Sequence, residues 1–316
     1  MVASMRYFCE PHADLLAGGG QKVTARRALH ELPATPAWWS LLSRCEQPRV
    51  RELAGPGNAI WQTVAVVDDS VVSQFDVLVE AARKGTALPD ALACLALTGS
   101  GFHGNRQRPW RAARGNLHLS SFCRLSLDAA RCGPALSMLP TLAVTDLLSP
   151  LVGDRAWIKW VNDVYLDDAK VSGSLVSTAV DGDLIESFVL GIGLNVEASP
   201  GLPGHGFVPR VTCLRDAGVP LSPLAAVEGL LATLATRIAQ LRDAGPAALF
   251  DDYVRRSRII GRQVSIYPDD ASSPQGTLPM AAGRLRAIHP DLSLEIEGHS
   301  GRYRTGRLQL APQEPP

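Results

Sequence analysis

The chain has 316 residues, of which 46% are hydrophobic and 20% charged, the composition of a globular protein with a hydrophobic core. Its 31 lysines and arginines are balanced by 31 aspartates and glutamates, so no net positive charge attracts nucleic acid, and we expect no nucleic-acid partner. No uninterrupted apolar run reaches the roughly 18 residues that span a bilayer, so we also expect no membrane association.

The six cysteines are scattered and form no CxxC pair. This pattern predicts small buried side chains in a reducing compartment rather than zinc ligands. The N-terminal stretch MVASMRYFCEPHADLLAGGG also lacks the continuous apolar core that is typical of a secretory signal. Together these features predict a cytoplasmic protein.

Residues 1–58 are rich in Pro, Gly, Arg and Ala and end in AGPGN, which indicates a boundary. We interpret them as an N-terminal extension of unknown role. The stretch TPAWWSLLSRC predicts a helix with Thr35 as N-cap and Pro36 at its first position. TARRALHEL predicts a short helix, but no recognition-like second helix follows, so we find no helix-turn-helix.

From Ile60 the pattern becomes regular. IWQTVAVV, ALACLAL and the alternating NLHLSSFCRLSL predict strands, whereas DDSVVSQFDVLVEAARKG and SMLPTLAVTDLLSPL predict helices. The first of these helices should begin at an Asp or Ser cap and end at Gly85. Strands and helices that alternate in this way predict an α/β domain over residues 59–257.

The stretch from Arg155 to Val196 predicts three strands joined by tight turns at LDDA and DGD. LSPLAAVEGLLATLATRIAQLRDAG then predicts a long amphipathic helix. From about residue 258, short strands separated by turn residues predict a small β-barrel, which we take as a separate domain over residues 258–316.

The stretch LTGSGFHGNRQRPW, residues 97–110, concentrates glycine and positive charge. Glycines allow successive backbone N–H groups to point at an anion, and Arg106 and Arg108 could donate charge-assisted hydrogen bonds to phosphate oxygens. The stretch has neither a Walker sequence nor the context of a dinucleotide-binding loop. An ordinary solvated loop is the alternative interpretation.

A second polar cluster lies in IKWVNDVYLDDAKVSGSL. Strand alternation would place Lys159 and Val161 on one face, and Trp160 and Asn162 on the other. Polar residues between apolar neighbours need partners if they are buried. The alternative is a hairpin with exposed lysines.

Glycines interrupt a third stretch, VLGIGLNV, which is otherwise an apolar strand. Gly191 and Gly193 weaken such a strand, and glycines at these places often mark a ligand that lies against the backbone. Gly173, in VSGSL, permits the same close approach.

In this order, the stretches resemble the motifs of the biotin–protein ligase family, relatives of the lipoate ligases. The family's glycine loop, roughly GRGRxGRxW, and the following GNLY correspond to Gly99–Asn105, Trp110 and Gly115–His118. KWPND corresponds to residues 159–163, K-[LV]-[AS]-G-I-L to 170–175, GIGINV to 191–196, and the DST motif to Asp69, Ser70 and Val71. The resemblance covers about residues 60–312. It implies an α/β (α+β) catalytic domain with a mixed sheet, followed by a small SH3-like β-barrel.

The resemblance also implies an activity. Such enzymes use ATP, with Mg²⁺, to activate biotin as biotinyl-adenylate, and then transfer biotin to a lysine of a biotin carboxyl carrier protein. The glycine loop is expected to order over the adenylate. A homodimer is compatible with this family.

Roles follow residue by residue from the resemblance. Lys170 is expected at the α-phosphate and the biotin carboxylate, with Arg106 and Arg108 assisting. Asp163 is expected to accept a proton from the acceptor lysine or, with Asn162, to contact ATP and its magnesium. The other residues expected to bind substrate or nucleotide are Ser70, Gly99, Gly101, His103, Gly104, Trp110, Asn116, Lys159, Gly173, Leu175, Gly191 and Asn195.

Several positions depart from the family pattern. Ser100 and Phe102 stand where the loop usually has arginines, Ala96 where a glutamine often contacts biotin, Val71 where a threonine does, and Ser174 where an apolar residue is usual. These departures keep two alternatives open. One is a ligase for lipoate or another short carboxylic acid, although no RRxxGGG-type loop is present. The other is a non-catalytic relative that binds a nucleotide or an acyl ligand.

Overall fold

The structure is a computed structural model that describes residues 4–10, 35–46, 48–54, 60–201 and 206–311. Nine strands form a central mixed sheet in the order β2-β1-β3-β4-β5-β9-β8-β7-β6. The strands are β1 (Ser4–Cys9), β2 (Arg49–Ala54), β3 (Thr63–Ser70), β4 (Ala91–Gly99), β5 (Leu117–Asp128), β6 (Ala156–Lys159), β7 (Asp163–Leu166), β8 (Ala169–Asp181) and β9 (Leu184–Leu194). Strand β3 runs parallel to β1 and β4, and the other neighbours pair antiparallel.

Helices cover both faces of this sheet because its strands alternate two sets of apolar side chains. In β3, Val64 and Val66 join the larger hydrophobic core, and Ala65 and Val67 join the smaller one. The larger core contains the helices α3 (Ala129–Val152), α4 (Pro223–Ala244) and α5 (Pro246–Ser257). The smaller core contains α1 (Trp39–Leu42) and α2 (Gln74–Arg83).

A buried ionic cluster ties the three helices of the larger core together. The Arg237 side chain on α4 is 8% exposed and lies 2.6 Å from Asp146 of α3 and 2.5 Å from Asp252 of α5. Arg256 also contacts Asp146, at 2.7 Å, and Arg255 contacts Asp252. The charges are therefore paired where the helices meet.

The C-terminal region forms a second, antiparallel sheet in the order β13-β12-β11-β10-β14. Its strands are β10 (Gln263–Tyr267), β11 (Ala281–Ile288), β12 (Leu294–Ile296), β13 (Arg302–Tyr303) and β14 (Arg307–Leu310). Val264 and Leu285 belong to the larger core, and the Trp160 indole donates a hydrogen bond of 2.8 Å to the Leu292 carbonyl. The second sheet thus packs against the first at the β6–β7 turn.

Most predicted elements are confirmed, with shifted bounds. Asp68–Ser70 end strand β3 instead of starting the next helix, which begins at Gln74. The prediction of three strands between Arg155 and Val196 was wrong because the chain turns at residues 160–162, so four strands form. Helix α5 was not predicted.

The N-terminal predictions changed most. The predicted helix at TPAWWSLLSRC shrinks to Trp39–Leu42, and Thr35 does not cap it, because its hydroxyl donates to the Glu46 carbonyl at 2.9 Å. TARRALHEL lies outside the described residues. Strands β1 and β2 were not predicted, yet they extend the central sheet from within residues 1–58. The boundaries at residues 58 and 257 stay predictions.

Helices α3 and α4 are, by length and composition, apolar enough to cross a membrane. In their most apolar windows, 67% and 50% of the residues are buried inside the protein. Apolar helices that pack in a protein core have the same composition, so these two helices are weak support for a membrane protein.

Candidate active site

A cleft opens on the α2 side of the central sheet. The glycine loop (residues 99–111) and the start of α2 border it, together with the β6–β7 turn, residues 207–211 and the start of β14. Many of the predicted site residues line it: His103, Gly104, Arg108, Trp110, Lys159, Asn162, Asp163, Lys170, Gly173, Leu175, Gly191 and Asn195. The fold therefore brings together residues that lie up to 92 positions apart in the chain.

Glycines form the floor of the cleft. A Cβ atom on Gly193 would lie 2.3 Å from the Trp110 indole, and one on Gly173 would lie 3.4 Å from it. Gly173 and Gly193 are paired across β8 and β9, so the indole rests on two bare backbones. Glycine at these positions makes room for an aromatic ring close to the sheet.

Positive charge dominates one part of the cleft. Five of the described residues that line it are lysines or arginines, and a single carboxylate, Asp163, accompanies them; the five are Arg108, Arg111, Lys159, Lys170 and Arg307. The Lys170 ammonium lies 2.6 Å from the Asp163 carboxylate and 5.8 Å from the centre of the Trp110 ring. Such an excess of cations is typical of a site for a polyanion.

Lys159 is buried in this cluster, at the end of β6. Its ammonium donates to the Phe207 carbonyl and, at 3.5 Å, to the Tyr165 hydroxyl. Burial lowers the pKa of Lys159 to about 8; the positive charges of Lys170 and its neighbours add to the shift, and Asp163 opposes it. An anion bound in the cleft would supply the negative charge that this lysine lacks.

Arg307, at the start of β14, was missed by the sequence analysis. Its guanidinium lies 3.8 Å from the centre of the Phe207 ring and donates to the Ala271 carbonyl, while its Nε has no hydrogen-bond partner among the described residues. Burial, together with Arg108, lowers its pKa to about 10. No local signal separates Arg307 from the other arginines of RYRTGRLQL, because only the packing of the second sheet brings it to the cleft.

Several contacts attach the glycine loop to the rest of the protein, and three of them involve His103, Arg106 and Trp110. His103 contacts the Asp76 carboxylate on α2 at 2.8 Å, and Arg106 contacts Asp269 at 2.5 Å. The Trp110 indole donates to Nδ1 of His118 at 3.3 Å. His118 accepts this bond as a neutral ring, because burial lowers its pKa to about 4. The loop is thus held over the cleft from both sides.

The β6–β7 turn breaks the strand alternation that the sequence predicted around Lys159. A cis peptide bond joins Trp160 and Val161. The Asn162 amide donates to the Ser174 carbonyl at 2.5 Å, and the Ser174 backbone and hydroxyl donate to the Asn162 carbonyl. Asn162 therefore fixes the turn that delivers Asp163 to the cleft.

The remaining predicted site residues do not line the cleft in the part of the chain that the structure describes: Ser70, Gly99, Gly101, Arg106 and Asn116. A Cβ on Gly99 would lie 2.3 Å from the Ser70 carbonyl, so Gly99 permits backbone packing. The Asn116 side-chain oxygen accepts hydrogen bonds from three backbone N–H groups, those of residues 196–198. It organises the segment after β9.

The positions that depart from the family pattern lie in different surroundings. Phe102 lines the cleft, with its ring 5.6 Å from that of His118. Val71 is 49% exposed, whereas Ala96 is fully buried.

Across the described ranges, no group of three or more His, Cys, Asp or Glu side chains could hold a metal ion.

Parts of the chain are similar to known proteins. The model of the biotin/lipoate A/B protein ligase family matches residues 76–195. The bifunctional ligase/repressor BirA of Escherichia coli is 28% identical over 183 residues, which are 56% of this chain and 55% of that protein. The biotin–[acetyl-CoA-carboxylase] ligase of Paracoccus denitrificans is 28% identical over 203 residues, 63% of this chain and 81% of the relative.

The chain thus spans about half the length of the Escherichia coli relative. Among solved structures, biotin protein ligase from Aquifex aeolicus, in complex with biotin and ATP, superposes with a TM-score of 0.58. That protein is 18% identical in sequence, and the superposition covers 80% of this chain and all of the other. At this identity the similarity concerns the fold. The segment that the family model matches contains the glycine loop, the β6–β7 turn and the glycine floor, so residues 76–195 are similar to the biotin/lipoate A/B protein ligase family.

Proposed function

We propose that the protein is an ATP-dependent biotin–protein ligase. It activates biotin as biotinyl-adenylate and transfers it to a lysine of a biotin carboxyl carrier domain. The observation that carries this proposal is the cleft itself, in which five cations and one carboxylate stand beside a glycine floor. Relatives named as biotin ligases, including one matched over 81% of its length, support the choice of reaction.

The first step brings two anions together. An oxygen of the biotin carboxylate attacks the α-phosphorus of ATP, and pyrophosphate leaves with the electrons of the broken P–O bond. Lys170 is placed to neutralise charge on the α-phosphate and the carboxylate, and Lys159 and Arg307 to bind the remaining phosphates. Preorganised cations of this kind stabilise the transition state more than the separated reactants.

Mg²⁺ would enter with ATP and neutralise the departing pyrophosphate. Asp163 is the carboxylate nearest to this task, although one of its oxygens already contacts Lys170. In the second step, the neutral amine of the acceptor lysine attacks the acyl carbon, AMP leaves, and the amine loses a proton. We assign Asp163 as the proton acceptor because it is the carboxylate of the cleft.

The other part of the cleft fits an acyl chain. Phe75, Phe102 and Leu175 contribute apolar surface there, and a Cβ on Gly191 would meet Phe75 at 3.0 Å. The Trp110 ring also lines the cleft, with its centre 5.8 Å from the Lys170 ammonium, a position that suits stacking with adenine. Phe102 also supports a second candidate, a ligase for another carboxylic acid such as lipoate, because it replaces an arginine of the family loop.

Mass spectrometry separates the candidates. Purified protein is incubated with Mg²⁺, ATP and either biotin, lipoate or octanoate. Biotinyl-adenylate supports the leading proposal, and an adenylate of only another acid overturns it in favour of the second candidate. Nucleotide binding without any adenylate would indicate a non-catalytic relative.

Three further proposals concern the whole molecule. The antiparallel sheet of β10–β14 is an SH3-like domain that contributes Arg307 to the phosphate site. The enzyme acts in the cytoplasm, where carboxyl carrier proteins are made. It needs neither nucleic acid nor a membrane, and it is free to form a homodimer.

The loop arginines should control leakage of the intermediate. We expect the double variant Arg106→Ala/Arg108→Ala to release free biotinyl-adenylate about ten-fold faster, because it loses the 2.5 Å contact to Asp269 and a cation of the cleft. Thin-layer chromatography of the released adenylate measures this rate. Asp269→Asn removes the loop contact alone, so it should give a smaller increase. An unchanged rate in the double variant would show that these arginines do not retain the intermediate.

Substitution of a glycine in the floor of the cleft should weaken ATP binding. Gly193→Ala places a methyl group 2.3 Å from the present position of the Trp110 indole, so the ring must move away from the sheet. We expect the KM for ATP to rise about ten-fold, the loss of one well-packed stacking contact. Gly133→Ala is the control, because in the part of the chain that the structure describes a Cβ there meets no atom within 4 Å. Equal KM values for the two variants would contradict a role of Trp110 at the nucleotide.

A further inference from the structure

His103 makes two hydrogen bonds that one neutral imidazole cannot make together. Its Nε2 lies 2.8 Å from the Asp76 carboxylate, and its Nδ1 lies 3.0 Å from the Gly104 carbonyl. Both partners are acceptors. Because neutral imidazole has a single N–H, only the imidazolium donates to both at once.

The surroundings of the ring favour this charged form. Burial lowers the pKa of His103, but the Gly104 carbonyl and the Asp76 carboxylate outweigh it, so the pKa is raised above its ordinary value of 6.5. Asp76 comes from α2, and the loop itself carries Arg106, engaged with Asp269, and Arg108. From β5, His118 is neutral near pH 7 and contacts the Phe102 ring instead.

The loop also needs an anchor at this place. Arg106 and Gln107 both have positive φ angles, of 56° and 58°, a left-handed conformation that costs energy for residues other than glycine. Such a conformation persists only where neighbouring contacts hold it. His103 lies three residues before this strained segment and contacts Asp76 of α2, while Arg106 contacts Asp269 in the connection after β10.

We propose that protonated His103 is a positioning residue that locks the glycine loop closed over the cleft, so that the enzyme retains its acyl-adenylate less well as the pH rises. The proposal rests on the proposed function for the identity of the retained ligand. A group whose pKa is raised on loop closure stabilises the closed state fully below its open-state pKa. That stabilisation is lost as the pH rises through the closed-state value.

The first test needs no ligand. NMR of protein labelled with ¹³C-histidine follows the ring of His103 from pH 5 to 9, and His103→Gln assigns its signal. We expect the His103 midpoint to lie above 6.5 in the wild type and to fall in Asp76→Asn. A midpoint at or below 6.5 that Asp76→Asn leaves unchanged would overturn the lock.

The second test measures release. Protein loaded with biotinyl-adenylate is diluted at pH values from 6 to 9, and free adenylate is counted. We expect release to accelerate about ten-fold across this range, the loss of one charge-assisted hydrogen bond, and to stay fast and nearly flat in His103→Gln. His289→Gln is the matched control, since His289 pairs with Glu295 at 3.0 Å and does not line the cleft. Parallel pH profiles for wild type and His103→Gln would refute the proposal.

A third measurement separates this failure from failure of the proposed function. The Arg106 side chain is 51% exposed. Trypsin cuts after this residue only when the loop opens enough to enter the active site of the protease. The ratio of cleavage rates, His103→Gln to wild type, cancels the pH dependence of the protease. We expect this ratio to exceed one at pH 6 and to approach one at pH 9, whether or not adenylate forms. A ratio of one at every pH from 6 to 9 would by itself contradict the proposed role of His103.

Discussion

Replacing Lys170 with alanine should raise the activation free energy for forming biotinyl-adenylate by about 2–4 kcal/mol, which slows the step roughly thirty- to a thousand-fold. Lys170 lines the cleft, 2.6 Å from Asp163 and 5.8 Å from the centre of the Trp110 ring. Its removal takes a cation from the reacting groups and leaves Asp163 unpaired among anionic substrates. Single-turnover measurements of adenylate with saturating ATP and biotin report this step directly.

Two companion variants sharpen the result. Lys84→Ala removes an exposed lysine paired with Glu80 on α2 and should leave the rate unchanged, because that pair is solvated. Lys170→Arg keeps the charge but changes its shape, and it should recover part of the rate. If Lys170→Ala turned over like the wild type, the assignment of the phosphate site would be wrong.

The second large effect concerns stability. Replacing Arg237 with leucine should lower the free energy of unfolding by about 2–3 kcal/mol, because Asp146 and Asp252 would lose their shared, buried partner. The loss stays below the upper range for buried pairs because Arg256 and Arg255 still contact these carboxylates. Urea unfolding followed by circular dichroism gives the free energy of unfolding. The slope of this free energy against urea concentration checks that the variant and the wild type expose the same surface on unfolding.

Arg242→Leu is the control for this effect. Arg242 is on the same helix and pairs with Asp243 at 2.7 Å, but both side chains are more than half exposed. We expect a change below about 0.5 kcal/mol there, as for most surface pairs. Equal losses in the two variants would mean that the cluster between α3, α4 and α5 does not hold the helices together.

Local patterns predicted the fold where they were strong. The alternation in NLHLSSFCRLSL and the long apolar stripe of α4 appear as one strand and one helix. The failures share a cause, since β1 and β2 are defined by pairing partners far along the chain. The turn at residues 160–162 likewise depends on the distant Tyr253 hydroxyl, which donates to the Val161 carbonyl at 2.9 Å.

The site was predictable to the extent that motifs carry it. Lys159, Asp163 and Lys170 were identified from their order in the chain, and the structure brings them to one cleft. Arg307 was not, because its position depends on how a second sheet packs. The double hydrogen bond of His103 also depends on a tertiary contact, since its partner Asp76 lies 27 residues away.

The pairing of β1 with β3 limits how the chain can be shortened. A variant that begins near residue 59 would remove both outer strands and leave one flank of β3 without hydrogen-bond partners. Residues 63–67 of β3 are all buried in the present structure. An apolar strand that is exposed at the edge of a sheet tends to pair with a strand of another copy. Shortened versions of the chain should therefore keep the N-terminal strands, or they will assemble edge to edge instead of staying dispersed.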